Sequence, residues 1–301
     1  MYQAHFGLHE LPFSITPDTS FFFPDSSHQD ALNTLLVAVR SGEGFIKVTG
    51  EVGTGKTLLC RKFLSALDHR DFVTAYIPNP YLQPMTLLLA IADELSLSYP
   101  PQANQHQLLK LLTRYLIDSY ANHKRVVVCL DEAQAMPLET LESLRLLTNL
   151  ETERRKLLQV VLFGQPELNQ RLGQPSVRQL KQRITFTCEL RPFTLKETQR
   201  YVLHRLNVAG YRGQRLVSLE AVKRLHRAAQ GVPRLVNVLA HKSLLAAFGE
   251  GTRSVTVRHV RAAVMDTESV ASQRGLRERL WRYVTTLVAT IAACVVWGVW
   301  R

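Results

Sequence analysis

A chain of 301 residues, 46% hydrophobic and 21% charged, carries enough apolar side chain for a folded core, which excludes a disordered or low-complexity protein. Its net charge of +12 is uneven: residues 1–174 hold 15 Lys and Arg against 18 Asp and Glu, whereas residues 175–282 hold 21 against 7. The basic excess therefore sits in the C-terminal part, where it suits a nucleic acid, an anionic membrane surface or the phosphates of a neighbouring subunit's nucleotide.

The N-terminal MYQAHFGLHELPF lacks the basic start and apolar run of a secretory signal. It leads into SITPDTSFFFPDSSHQDAL, where aromatic residues and turn formers precede a helix. Lying just before the first strand, the segment from Phe6 to Leu32 is expected either near a bound adenine or over the edge of the sheet. His28 within it has no metal partner. Five runs then read as strands: FIKVT (45–49), FVTAYI (72–77), VVVCL (126–130), LQVVLF (158–163) and ITFTCEL (184–190). They are short, β-branched and mostly apolar on both faces, as in a parallel sheet covered on both sides. Helical patterns separate them: one after the glycine-rich turn at 50–57, one opening at Pro84, one from Asn104 to Asn122 and one from about Pro137. The expected fold class is α/β with a doubly wound parallel sheet.

After Pro192 the strand patterns stop. Thr194 and Glu197 form a capping-box pattern for a helix to about Ala209; Ser218 opens a helix to Ala229, Pro233 opens another, and the last runs from Val257 to Glu268. The organisation expected is an α/β nucleotide-binding domain (1–191), a small all-helical lid domain (192–270), a basic juxtamembrane linker (271–282) and a transmembrane helix (283–300). That last helix, YVTTLVATIAACVVWGVW, has eighteen uncharged residues and spans about 27 Å. Trp281 and Tyr283 at one end, and Trp297 and Trp300 at the other, suit the two interfaces. Arg274, Arg277, Arg279 and Arg282 place the main body on the cytoplasmic side. The plainer alternative is a buried terminal helix. Cys60, Cys129, Cys188 and Cys294 form no CxxC, so they read as buried thiols in a reducing compartment rather than a zinc site.

GEVGTGKT (50–57) satisfies GxxxxGK[ST] between a strand and a helix, the context that the phosphate-binding loop requires. Its glycines let backbone N–H groups close on phosphate oxygens at a helix N-terminus. The nucleotide-binding residues expected are Gly50, Glu51, Val52, Gly53, Thr54, Gly55, Lys56, Thr57 and Leu58, with Lys56 on the β- and γ-phosphates and Thr57 on Mg2+. VVVCLDEAQ ends a strand in two carboxylates: Asp131 suits the Mg2+ position, and Glu132 suits a group that polarises an attacking water. In LFGQPEL (162–168) a polar Gln165 ends the next strand between the first and third, either beside the γ-phosphate or as a simple strand terminator. Arg183, just before the last strand, either projects toward a neighbour's γ-phosphate or is an ordinary charge in a basic stretch. Arg234 follows Pro233 in a first helical turn, where a cation is disfavoured by roughly a few tenths of a kcal/mol, so it either meets an anion or is tolerated on the surface.

Taken in order, FGL…PF…TPD…H, GEVGTGKT, LDEAQ, FGQPEL, QRI and GVPR resemble the AAA+ ATPases of the ExeA, or general secretion pathway A, type over residues 1 to 268. In size and layout the chain is similar to those that assist biogenesis of the mannose-sensitive haemagglutinin (MSHA) pilus, a type IV pilus. The resemblance implies an ATPase using ATP and Mg2+, with Gln165 at the sensor-1 position, Arg183 as arginine finger and Arg234 at sensor 2. It implies a homo-oligomer, pilus or secretion-assembly proteins of the inner membrane as partners, contact with membrane lipid, and no sequence-specific nucleic acid. Larger relatives continue beyond the membrane into a peptidoglycan-binding domain; with Arg301 as the last residue, action on the wall is expected to need a partner protein. The alternatives are a DNA-handling ATPase of the transposition-accessory kind, whose basic lid would meet phosphates, and an ATP-gated scaffold with negligible turnover.

Overall fold

Apolar strands buried on both faces form the centre of the structure, a computed structural model that describes residues 2–24, 26–148, 151–152 and 155–267. The expected linker and transmembrane helix lie outside these residues. Among the described residues no helix is long and apolar enough to cross a membrane. The chain forms two compact units, one comprising Thr16–Pro192 and the other combining the first fifteen residues with Phe193 onward.

The first unit holds a five-stranded parallel sheet of β1 (Phe45–Gly50), β2 (Phe72–Ile77), β3 (Arg125–Leu130), β6 (Leu158–Gly164) and β7 (Ile184–Leu190), in the order β2-β3-β6-β1-β7. A two-residue antiparallel ladder, β4 (Glu151–Thr152) with β5 (Arg155–Lys156), precedes β6. Side chains alternate across the sheet. Val127, Cys129, Val161 and Phe163 face α2 (Ser26–Arg40) and α3 (Lys56–Ser65), packing with Leu35, Leu59 and Phe63. Val126, Val128, Val160 and Leu162 face α4 (Pro84–Glu94), α5 (Gln105–Ala121) and α6 (Leu138–Thr148), packing with Leu87, Leu108 and Leu141. All of β6 is buried, whereas β7, on the sheet's edge, alternates toward solvent. The five strands and their flanking helices match the sequence expectation within a residue or two at each end. Asn104 proves to be the cap of α5, exchanging two hydrogen bonds of 2.9 Å with Gln107. Two short helices, α7 (Glu167–Leu172) and α8 (Arg178–Arg183), join β6 to β7.

The second unit contains α9 (Leu195–Val208), α10 (Leu219–Ala229), α11 (Pro233–Gly249) and α12 (Val257–Met265). Thr194 and Glu197 form the expected capping box and Ser218 caps α10. The N-terminal segment divides: Phe22 packs with the cluster between the sheet and α2 and α3, whereas residues 2–15 belong to the helical unit, where they form the one-turn α1 (Gln3–Phe6). Tyr2, Phe6, Leu8 and Phe13 are buried there, each contributing about 1.5–3 kcal/mol of burial. A polar network fixes them. Arg205, only 4% exposed, donates from Nε to the carbonyl of Pro12 and from Nη1 to the Tyr201 hydroxyl at 3.0 Å. Tyr201 donates to Asn237 Oδ1 at 2.8 Å, and Asn237 Nδ2 donates to the carbonyl of Ser14 at 3.2 Å. Position in sequence before a strand says nothing of where a segment buries its rings.

Replacing Arg205 by Met keeps much of the stem but strands two buried acceptors, so Arg205→Met is expected to cost about 2 kcal/mol in urea unfolding. Limited proteolysis should then cut within residues 2–15 first; a variant as stable and as protected as wild type removes the network's role.

Candidate nucleotide-binding site

Because β1 ends at Gly50 and α3 begins at Lys56, residues 51–55 turn tightly between them. Gly55, at φ +99°, occupies a backbone conformation that strains any other residue. Lys56 is 5% exposed, and its Nζ donates to the carbonyls of Gly50 at 2.8 Å and Glu51 at 3.0 Å. Burial lowers its pKa, opposed by the carboxylates of Glu132, Asp131, Glu51 and Glu167. His28, buried on α2, meets the carbonyl of Thr54 through Nε2 at 2.8 Å. A carbonyl only accepts, so this nitrogen carries the proton and the imidazole braces the loop. Thr54 is buried and closes the turn onto the Glu51 carbonyl; Glu51 and Val52 are exposed, and Gly53 is half-buried. Leu58 packs against the core.

Asp131 leaves β3 beside this loop. Thr57 Oγ1 donates to its Oδ2 at 2.7 Å, the Tyr76 hydroxyl donates to the same oxygen at 3.3 Å, and the N–H of Glu132 donates to Oδ1 at 3.0 Å. Burial pushes the Asp131 pKa up, while the Thr57 bond and the Glu132 N–H pull it back. Tyr76 is pushed up to about 12 by burial and by the Asp131 charge. A carboxylate and a hydroxyl make a hard-oxygen pair that fits Mg2+, which takes one or two carboxylates and completes its shell with phosphates and water. Among the described residues no cluster of three or more His, Cys, Asp or Glu offers a cage of protein ligands.

Glu132 follows in the left-handed region at φ +53°. Gln134 Nε2 donates to its Oε2 at 2.6 Å and Gln165 Nε2 at 3.2 Å, while the Gln165 N–H donates to Gln134 Oε1 at 2.9 Å. The fold thus gathers Gly50, Lys56, Thr57, Asp131, Glu132 and Gln165 around the ends of three neighbouring strands. Arg183 is half-buried at the junction of α8 and β7. Arg234 is exposed in the first turn of α11, within the helical unit. Sequence reasoning gave no role to Tyr76, Gln134 or, as a brace, His28. Gln134 stood in the quoted LDEAQ and His28 in FGL…PF…TPD…H; Tyr76 depends on a contact across the fold that no local pattern displays. Cys60 and Cys129 are buried, as expected, and Cys188 is half-buried.

This lysine, threonine and aspartate set at the ends of a parallel sheet is that of a P-loop nucleotide site. Residues 39–172 match the AAA domain family model. Over 301 residues the chain is 40% identical to General secretion pathway protein A of Aeromonas hydrophila; the match takes in 100% of this chain and 54% of that protein, so the chain spans about half the length of its curated relative. Among solved structures it is similar to Cdc6p of Pyrobaculum aerophilum, with a TM-score of 0.64 and 21% identity over 82% of this chain and 70% of that one. It is also similar to the ORC2 protein of Aeropyrum pernix in its ADPNP-ADP complexes, with a TM-score of 0.61 and 19% identity over 83% and 72%. At such identities the likeness is one of fold alone.

Asp131 has a raised folded pKa, so its ionised form costs the nucleotide-free protein stability, and that cost fades as pH falls through the raised value. Asp131→Asn should therefore melt about 2–4 °C above wild type at neutral pH without nucleotide, with the gap closing on acidification. A lower melting temperature at neutral pH would count against this account.

Proposed function

We propose that the chain is a membrane-anchored, ExeA-type AAA+ ATPase that hydrolyses ATP to assist assembly of a secretion or type IV pilus apparatus. The observation that carries hydrolysis is the placement of Glu132 beside the Asp131–Thr57 pair, at the mouth of the loop that buries Lys56. Lys56 neutralises phosphate charge, Thr57 and Asp131 hold Mg2+, and Glu132 takes the proton of the attacking water. Bound Mg2+ neutralises charge on the phosphates. Gln165 orients the γ-phosphate, Arg234 contacts nucleotide from the helical unit, and Arg183 acts on the nucleotide of a neighbouring copy, so the active form is a homo-oligomer. The identity to General secretion pathway protein A over the whole chain supports the link to secretion. The layout of the motifs supports the MSHA pilus as the particular system. Residues 283–300 supply the anchor, with the arginines before them on the cytoplasmic face of the inner membrane and against anionic lipid.

The test is ATP hydrolysis by detergent-solubilised protein over a range of concentrations, with duplex DNA or anionic vesicles added in parallel. Lys56→Ala should lose ATP binding. Glu132→Gln should keep binding and lose about a hundred-fold or more in kcat, and Arg183→Ala about a thousand-fold. Specific activity should rise with protein concentration and with vesicles. Stimulation by DNA alone would favour the DNA-handling alternative, and wild-type hydrolysis too slow to fall in any variant would favour the scaffold.

Anchoring is checked separately by flotation. Full-length protein should rise with anionic vesicles at high salt, and a chain ending at residue 282 should not.

A further inference from the structure

The Glu132 carboxylate is gripped more firmly than its proposed chemistry alone demands. The 2.6 Å bond from Gln134 Nε2 is short and charge-assisted. The Gln134 amide cannot be turned round, because its Oε1 accepts the Gln165 N–H at 2.9 Å and Nε2 is left facing the carboxylate. Its backbone is held too: Arg171 Nη1, on α7, donates to the Gln134 carbonyl at 2.7 Å and also to that of Met136. Room for the amide comes from Gly164, where a Cβ would lie 3.2 Å from Gln134 Oε1 and 2.8 Å from Leu168 Cδ2. Gln134 is thus tied to the end of β6 and to α7, and through its Nε2 to Glu132.

A glutamate on a left-handed turn has three side-chain torsions to spend, and an unsupported carboxylate would sample several directions. A single donor anchored at two other points selects one. We propose that Gln134 is a positioning residue for hydrolysis: it fixes the Glu132 carboxylate in the direction from which it meets the attacking water, and ties that direction to the strand end that carries Gln165. The inference rests on the reading of Glu132 as the water-polarising group. Gln165 adds a second and longer bond to the same oxygen at 3.2 Å, so it can leave for a phosphate while Gln134 keeps its hold.

The test uses full-length protein with Gln134→Ala, Gln134→Asn (one methylene too short to reach), Glu132→Gln and the double variant Glu132→Gln/Gln134→Ala. Single-turnover hydrolysis of radiolabelled ATP gives the rates, and equilibrium binding of ATPγS gives affinity. Gln134→Ala and Gln134→Asn should each lower kcat about ten-fold or more, leaving KM and ATPγS affinity within about two-fold. Added to Glu132→Gln, the alanine should cost less than about two-fold further, because its target is already gone; an independent structural effect would multiply. In nucleotide-free protein, Glu132→Ala and Gln134→Ala should likewise lower the melting temperature non-additively. A kcat at or above wild type in Gln134→Ala, full multiplication with Glu132→Gln, or a loss that tracks ATPγS affinity each overturns the proposal. Should Glu132→Gln alone hydrolyse at the wild-type rate, the reading of Glu132 itself fails, whatever Gln134 does.

Discussion

Parallel pairing of three adjacent strands governs the rest of the molecule. β3 pairs with β6 and β6 with β1, all running the same way, with Thr49 opposite Gly164 and Leu130 opposite Leu162. Three chain segments therefore leave the sheet at one edge and within a residue or two of the same level. One becomes the phosphate-binding turn, one delivers Asp131 and Glu132, and the middle one delivers Gln165. A slip of one residue in either ladder would turn the inward residues of a buried strand to the other face. The hydrophobic pattern that fixes the register thereby fixes the distances of the polar site.

The site is assembled at a cost. Lys56 and Asp131 are both withdrawn from water: burial shifts each toward its neutral form, and neighbouring groups oppose that shift. Lys56 turns back onto the carbonyls of its own loop, and Thr57 donates to a carboxylate that offers the same oxygen to a cation. These bonds are the ones that phosphate and metal would replace.

Much of this was legible in the sequence because the signals are local. A glycine-rich turn between a β-branched run and a helix, and an apolar run ending in Asp-Glu, define their surroundings within ten residues. The capping box at Thr194 was readable for the same reason, as were Asn104 and Ser218 as helix starts. What was passed over depends on burial between distant segments. The rings of Tyr2, Phe6 and Phe13 were visible, but nothing near them in the chain indicates that their partners lie two hundred residues away on α9 and α11. Tyr76 looked like an ordinary strand residue and His28 stood in a quoted motif without a role; only the pairing of β2 with β3, and the packing of α2 on the loop, gives their polar tips a partner. Gln134 is the intermediate case, a residue inside a recognised motif whose purpose emerges only with the strand beside it.

The helical unit is made of two pieces of chain with the whole sheet-bearing unit inserted between them. A ribosome delivers residues 2–15 first, yet α9 and α11, which cover them, come only after the sheet has been made. During that interval an aromatic segment waits without its pocket, and the loop to be closed is as long as the inserted unit. The sheet can fold as it is made, but the helical unit is completed late, so early exposure of this segment is the natural point for a chaperone or an aggregating neighbour to intervene. An N-terminal fusion, for the same reason, would burden the helical unit and spare the sheet.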